Sequence, residues 1–271
     1  MTIWQAILLG IVQGLTEFLP ISSSAHLVLV PEALGWSFAP EQAFPFFVLV
    51  QWGTLLAVLA YFWSELLPIG RGMLASLFLR DEGVNEEGRL GWLLILATLP
   101  VIVFGFLLRE HIRAAFNSPQ ATGYFLLVTA ALLLIAEFAG RRQRHTVGKI
   151  GVVTALTVGF FQVLALLPGV SRSGATISGG MLRKLDRPAA ARFSFLMAVP
   201  AMIAAGALEL YELIQLPGSL AHLGPLLAGT LAAALVGYFS IRWLLNFIAH
   251  NSYRPFALYC SLVGLLAIWL A

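Results

Sequence analysis

The sequence predicts an all-α polytopic integral membrane protein: six transmembrane helices and two re-entrant helical hairpins, arranged as an inverted-topology repeat. Three observations predict it. The first is composition. Hydrophobic residues make up 59% of the chain and charged ones 11%, against about 25% charged in soluble domains, and mean hydropathy is +0.89. The second is a series of charge-free runs at 44–64, 90–108, 150–171, 193–208, 217–241 and 255–271. A span needs roughly 20 apolar residues, with a lower limit of about 17. The third is that the chain breaks in the same way twice. Gln13 and Glu17 precede Phe18-Leu19-Pro20-Ile21 and then Ser22, Ser23, Ser24, Ala25 and His26; Gln162 precedes Leu167-Pro168-Gly169-Val170 and then Ser171, Arg172, Ser173, Gly174, Ala175 and Thr176. Paired interrupted helices at corresponding positions of two halves point to the binding site of a membrane protein.

Taken in chain order, the first hairpin covers about 4–34, with Pro20 ending its first helix. Spans follow at 44–66, 90–108 and 121–138. The stretch 80–89, with six charged residues, reads as a solvated loop. A second hairpin covers about 149–182, and spans at 193–211, 223–245 and 255–271 complete the chain. The run after Phe193 is short for a span, but Arg192 and Glu209 can snorkel at its ends. No second domain is visible: 1–271 is a single membrane domain with halves of about 1–140 and 141–271.

Basic residues test this topology. A hairpin returns to the side it entered, whereas a span crosses. Walking the chain gathers thirteen Lys and Arg side chains on one side, leaves Arg109 and Arg113 on the other, and places Arg172 within the membrane. The crowded side is then cytoplasmic, and both termini lie outside. A single crossing by 150–171 would move Arg183, Lys184, Arg187 and Arg192 across and erode the asymmetry. Three crossings per half invert the second half, so the two hairpins enter from opposite faces and meet near the midplane. Irregular backbone at that depth must be buried in protein or line a wet cavity. The single cysteine, Cys260, excludes an intramolecular disulfide and a Cys-based metal site. The start, Met1-Thr2-Ile3-Trp4, has neither a basic n-region nor a small-residue cleavage site, so no removable signal peptide is expected. Nothing in the charge pattern calls for nucleic acid.

The two breaks carry the chemistry. Gln13 and Glu17 are four apart and share a helix face. An acidic residue placed this deep is by default functional. Ser22, Ser23, Ser24 and His26 add hydroxyls and an imidazole, with helix N-capping the ordinary role for Ser22 and Ser24. At the second break Gly169 permits a tight bend, and Ser171, Arg172 and Ser173 open a new helix. Helix N-termini bind anions, and a guanidinium adds bidentate recognition of phosphate. Burying Arg172 without an anionic partner is costly; Glu17 or a phosphate could serve. There is no Walker-type Gly-Lys-Ser and no His-Glu-x-x-His, so nucleotide hydrolysis and metalloprotease readings have no support.

With these residues in hand, the chain resembles, over essentially its whole length, the undecaprenyl-diphosphate phosphatases of the bacitracin-resistance type. The family's Glu/Gln-x-x-x-Glu motif falls on Gln13 and Glu17, its Ser-Ser-Thr/Ser-Gly/Ala-His stretch on Ser22 to His26, and its Pro-Gly-x-Ser-Arg-Ser-Gly-x-Thr on Pro168 to Thr176. Gln13 stands where many members have glutamate, which weakens a two-carboxylate metal site. Ser24-Ala25 replaces a common Thr-Gly. The resemblance implies an enzyme of the bacterial cytoplasmic (inner) membrane that removes the terminal phosphate of a C55 isoprenyl diphosphate, uses a divalent cation and recycles the cell-wall lipid carrier.

Matched to that reaction, Ser23 is the expected nucleophile or the residue that places water. Glu17 is expected as general base or, with Gln13, as ligand of Mg²⁺ or Ca²⁺. His26 is expected as proton shuttle, and Arg172 as the clamp on the transferring phosphoryl group. Gln13, Ser22, Ser24, Gly169, Ser171, Ser173 and Thr176 are the expected substrate-binding positions. The cavity is expected to face outward, with undecaprenyl diphosphate and membrane lipids as partners and a homodimer admissible. A lipid transporter or flippase is the rival reading, because inverted repeats with broken helices are also a transporter architecture.

Overall fold

The computed structural model describes residues 1–78, 85–108, 110, 112, 119–140, 146–147, 150–215 and 223–270. Among these residues lie eleven helices and no strand. Two short pairs interrupt the bundle: α1 (Ile3–Phe18) with α2 (Ser23–Ala33), and α7 (Val152–Leu164) with α8 (Arg172–Leu182). Between the pairs run α3 (Pro40–Tyr61), α4 (Trp63–Phe78), α5 (Glu86–Leu107) and α6 (Pro119–Ala139). After them come α9 (Arg187–Gln215), α10 (Leu223–His250) and α11 (Arg254–Leu270). Five helices are long and apolar enough to cross a membrane: those holding 43–61, 86–107, 120–139, 187–215 and 223–250. With 17 residues, α11 is apolar but shorter. The helical, multi-pass architecture is therefore present, and of the six expected spans the one at 255–271 falls on a helix shorter than the five. Arg80, Arg109, Arg113, Arg141, Arg142, Arg144 and Lys149, which carry much of the charge asymmetry, lie outside the described residues.

The bundle turns its apolar side chains outward as well as inward. Phe106, Leu231, Leu235, Leu262 and Trp269 all stand exposed on its flanks, as a lipid-facing surface requires and a water-facing one does not. Within the bundle, helices approach closely where side chains are small. A Cβ on Gly14 would stand 2.8 Å from Ala233 O of α10, and one on Gly123 would stand 2.8 Å from Gly264 O of α11. Gly10 against Gly229 and Gly159 against Ala97 are tighter still. In lipid, where tails are as apolar as leucine, such contact between small residues is what holds helices together.

Several boundaries differ from the sequence expectation, α5 starting at Glu86 inside the stretch read as loop and α10 running on to His250. The segment expected as one span, 44–66, is two helices, because Phe62 turns the chain: its rings meet Tyr61 and Phe195, and it is buried at the corner. The following α4 covers 67–78, to which the sequence reading assigns no element. It packs on α5, where Gly72 and Gly88 come together. α9 extends from Arg187 to Gln215, beyond the 193–211 expected. Its first residue belongs to a buried clasp. Arg187 donates to both oxygens of Glu137 at 2.8 and 2.6 Å, and the Tyr253 N–H donates to Glu137 Oε1 at 2.8 Å. This clasp ties α6, α9 and the α10–α11 corner together.

Candidate active site where two broken helices meet

Each break follows from its sequence. Leu19, ahead of Pro20, takes extended backbone (φ −64°, ψ 140°) and ends α1. The chain then turns through Ser22 at φ 72°, an unusual conformation for a residue with a side chain. The Ser22 hydroxyl caps α2 by accepting from the Ala25 N–H at 3.4 Å. At the second break Gly169 takes φ 105°, which only glycine adopts readily. The Ser171 hydroxyl caps α8 by accepting from the Gly174 N–H at 3.1 Å. Thr129 of α6 fixes this turn, accepting from the Ser171 N–H at 2.9 Å and donating to Gly169 O at 3.1 Å.

The two turns bond directly to each other. Ser173 Oγ donates to Leu19 O at 3.1 Å, and the Gly169 N–H donates to Ser24 Oγ at 3.4 Å. Glu17 is the hub. Its Oε1 accepts from Arg172 Nη2 at 2.7 Å, and its Oε2 accepts from Ser23 Oγ at 2.6 Å and from Gln13 Nε2 at 3.0 Å. The pair is largely shielded, with side-chain exposures of 10% for Glu17 and 21% for Arg172. Two buried polar atoms here have no partner: Arg172 Nη1 and Gln13 Oε1. Both are the kind of orphan a bound ligand satisfies.

A cavity of about 440 Å³ opens over this hub. Its polar wall is Gln13, Glu17, Ser22, Ser23, Ser24, Ser171 and Arg172, and an apolar wall includes Leu27, Val28, Phe47 and Leu166. The N-termini of α2 and α8 both abut it, so two helix-dipole positive ends converge on one space. The chamber can hold an anionic head group beside a hydrocarbon chain. A second cavity of about 330 Å³ near Arg187 and Asp186 lacks that character, because Glu137 already occupies the guanidinium.

Four expected site residues do not line the cavity. His26 is 7% exposed and points away from the chamber. One ring nitrogen, Nδ1, lies 2.8 Å from Ser22 O, and the other, Nε2, lies 2.7 Å from the Tyr259 hydroxyl. A carbonyl can only accept, so Nδ1 carries the proton and the Tyr259 O–H donates to Nε2. The imidazole thus braces the strained Ser22 turn and reaches neither Ser23 nor Glu17 by a hydrogen bond. Thr176 bonds back to Arg172 O at 2.7 Å and meets the Ser194 hydroxyl at 2.6 Å, fastening α8 to α9. Ser173 and Gly169 shape the second turn from behind. Conversely, Gln51 and Glu209 line the cavity and were not singled out in the sequence. The only available signals were a single amide side chain within 44–64 and a charge that ends a run slightly too short for a span.

A family model described as bacitracin resistance protein BacA matches residues 6–266 of the chain. Among curated relatives, the undecaprenyl-diphosphatase of Chlorobium phaeovibrioides is 41% identical over 280 residues, covering 100% of this chain and 97% of that one. The undecaprenyl-diphosphatase of Micrococcus luteus is 43% identical over 266 residues, covering 97% and 95%. That of Thermomicrobium roseum is 42% identical over 277 residues, covering 99% and 98%. With the two broken helices, the Glu17–Arg172 hub and a match over nearly its full length, the chain belongs to the BacA bacitracin resistance protein family.

Proposed function

We propose that this protein hydrolyses undecaprenyl diphosphate to undecaprenyl phosphate and inorganic phosphate in the bacterial cytoplasmic membrane. The observation that carries the reading is the Ser23–Glu17–Arg172 constellation: a hydroxyl on a carboxylate at 2.6 Å, and on its other oxygen a guanidinium with one nitrogen unused. Relatives about 40% identical over nearly the full chain bear the name of that activity, which favours hydrolysis over lipid transport.

Ser23 Oγ attacks the terminal phosphorus as its proton passes to Glu17 Oε2. The bridging P–O bond breaks, and undecaprenyl phosphate departs with the bonding pair. Water then attacks the phosphoserine, Ser23 Oγ leaves with that bonding pair and regains its proton from Glu17, and inorganic phosphate is released. Arg172, through its free Nη1, holds the transferring group; phosphoryl transfer is mainly such positioning and charge stabilisation. His26 keeps Ser22, and through it the serine turn, in place.

A divalent cation, Mg²⁺ or Ca²⁺, fits the carboxylate, hydroxyl and amide oxygens of the polar wall and the unpartnered Gln13 Oε1 beside Glu17. No cluster of three or more acidic, His or Cys side chains suited to a metal occurs among the described residues. Oxygens of this wall, Gln13 Oε1 among them, would therefore share the ion with substrate phosphates, the usual Mg²⁺ arrangement. Bound there, the ion neutralises charge developing on the phosphoryl oxygens.

The inverted repeat is part of the same proposal, and its support lies in the packing. α1 lies on α10 as α7 lies on α5, and α3 lies on α10 as α9 lies on α5. The two capping serines, Ser22 and Ser171, each open an 11-residue helix. With six spans and both termini outside, the cavity faces outward, where spent carrier appears. Purified protein supplied with undecaprenyl or farnesyl diphosphate should release inorganic phosphate. Lipid movement without phosphate release would overturn the enzymatic reading.

A further inference from the structure

Glu209 is the second acidic side chain on the cavity wall, the first being Glu17. Its place is fixed by packing. Gly206, one helical turn earlier on α9, lies under the Trp52 indole, whose Nε1–H donates to Gly206 O at 3.3 Å. Gln51, next to Trp52 on α3, lines the same cavity. The α3–α9 crossing therefore holds Glu209 over the polar chamber.

Charge sharpens the point. Among the described residues the wall carries two carboxylates against one guanidinium, and Arg172 already pairs with Glu17. A diphosphate entering this chamber brings further negative charge, which Glu209 repels unless a cation enters too. Glu17 cannot easily be the main cation ligand. A carboxylate offers about four lone-pair sites, and three are taken by Arg172, Ser23 and Gln13. Gln13 is different: the residue is only 3% exposed, lines the cavity, and leaves Oε1 without a partner. Its amide cannot turn over, since that would set an oxygen against Glu17 Oε2.

We infer that Glu209 and Gln13 Oε1 are the principal protein ligands of the divalent cation, leaving Glu17 free to act as base. This rests on the cation proposed above and assigns it to oxygens that Ser23 and Arg172 do not occupy. The donor set is hard oxygen, suited to Mg²⁺, Mn²⁺ or Ca²⁺.

Mn²⁺ binding to the purified full-length protein, followed by electron paramagnetic resonance of the free ion, tests the assignment. Glu209→Gln should weaken Mn²⁺ at least about tenfold while leaving the cation-free melting temperature unchanged. Adding Gln13→Glu to that variant returns the lost charge at the other ligand and should recover much of the affinity, even if Glu209→Gln alone lowers stability. Unchanged Mn²⁺ affinity in Glu209→Gln, or no recovery in the double variant, overturns the inference. If the unaltered protein binds no Mn²⁺, the cation reading falls with it. Phosphate release from the same preparation reports separately on the hydrolase reading.

Discussion

Arg172 and Glu17, 155 residues apart in sequence, form a 2.7 Å ion pair that joins the two interrupted helices. Glu17 satisfies only part of the guanidinium, because Nη1 is buried and unpartnered. Of the two partners the sequence allowed, the carboxylate is present on one nitrogen, and the unpartnered one is where the proposed function puts phosphate. Arg172→Lys keeps the charge and loses the planar fork, which is not a conservative exchange at such a site. The expected result is at least a roughly tenfold loss in kcat/KM, about 1.4 kcal/mol of transition-state stabilisation. Near-parental kinetics in a well-folded Lys variant would remove Arg172 from the reaction.

Glu17 and Gln13 share a helix face and a hydrogen bond of 3.0 Å, yet their exchanges should differ. Glu17→Gln removes the acceptor for Ser23 and the counter-charge for Arg172, and turnover should fall by at least about a hundredfold, within the range of general-base removal. Gln13→Glu sets a second carboxylate against Glu17, tolerable when a cation lies near them. That variant should be active with saturating Mg²⁺ and lose more activity than the parent under a chelator. The reverse pattern would mean the two roles are exchanged.

His26 separates a bracing role from proton transfer. If its ring only braces Ser22 between Ser22 O and Tyr259, His26→Gln should lower kcat while the pH profile keeps its shape. Disappearance of one limb of the profile would restore the imidazole to the proton path.

How much of this was legible in sequence follows from local physics. Pro20, Pro168 and Gly169 punctuate the chain, so both breaks and their capping serines could be read directly. The orientation of His26 is a matter of helical register: it stands four residues from Ser22 and three from Ser23, and α2 turns it onto the Ser22 carbonyl. Tyr259 lies 233 residues away, beyond any local signal. Glu209 was hidden because a charge at the end of an apolar run looks like an interfacial residue. Only the crossing of α9 with Trp52 of α3 brings Glu209 over the cavity. α4 was missed because its glycines, proline and arginine resemble a linker, although its buried face packs on α5.

The Glu137 clasp should matter for stability more than for chemistry. Glu137→Ala leaves Arg187 and the buried Tyr253 N–H without their acceptor, and because Arg187 is partly exposed the cost is nearer that of an unsatisfied buried hydrogen-bonding group, about 1–3 kcal/mol. The thermal midpoint in detergent should drop, while turnover per folded molecule stays near parental. A large loss of turnover at unchanged stability would instead couple this clasp to the active site.

Sidedness is the last test. The first hairpin, which carries Glu17 and Ser23, enters from the face assigned few basic residues, so the cavity should open outward. Ala25 is fully buried, but Val28 lines the cavity and is partly accessible, which makes Val28→Cys the better reporter. The background should carry Cys260→Ser, a change that keeps a donor near Pro20 O, where the thiol now sits at 3.6 Å. A membrane-impermeant thiol reagent, added outside intact cells with any outer membrane permeabilised, should label Val28→Cys. Diphosphate substrate should slow that labelling by filling the chamber. Labelling confined to inverted vesicles would place the cavity on the cytoplasmic side. It would overturn the hairpin topology with it, because 13 of the 16 Lys and Arg residues were assigned to the cytoplasmic side by that same walk along the chain.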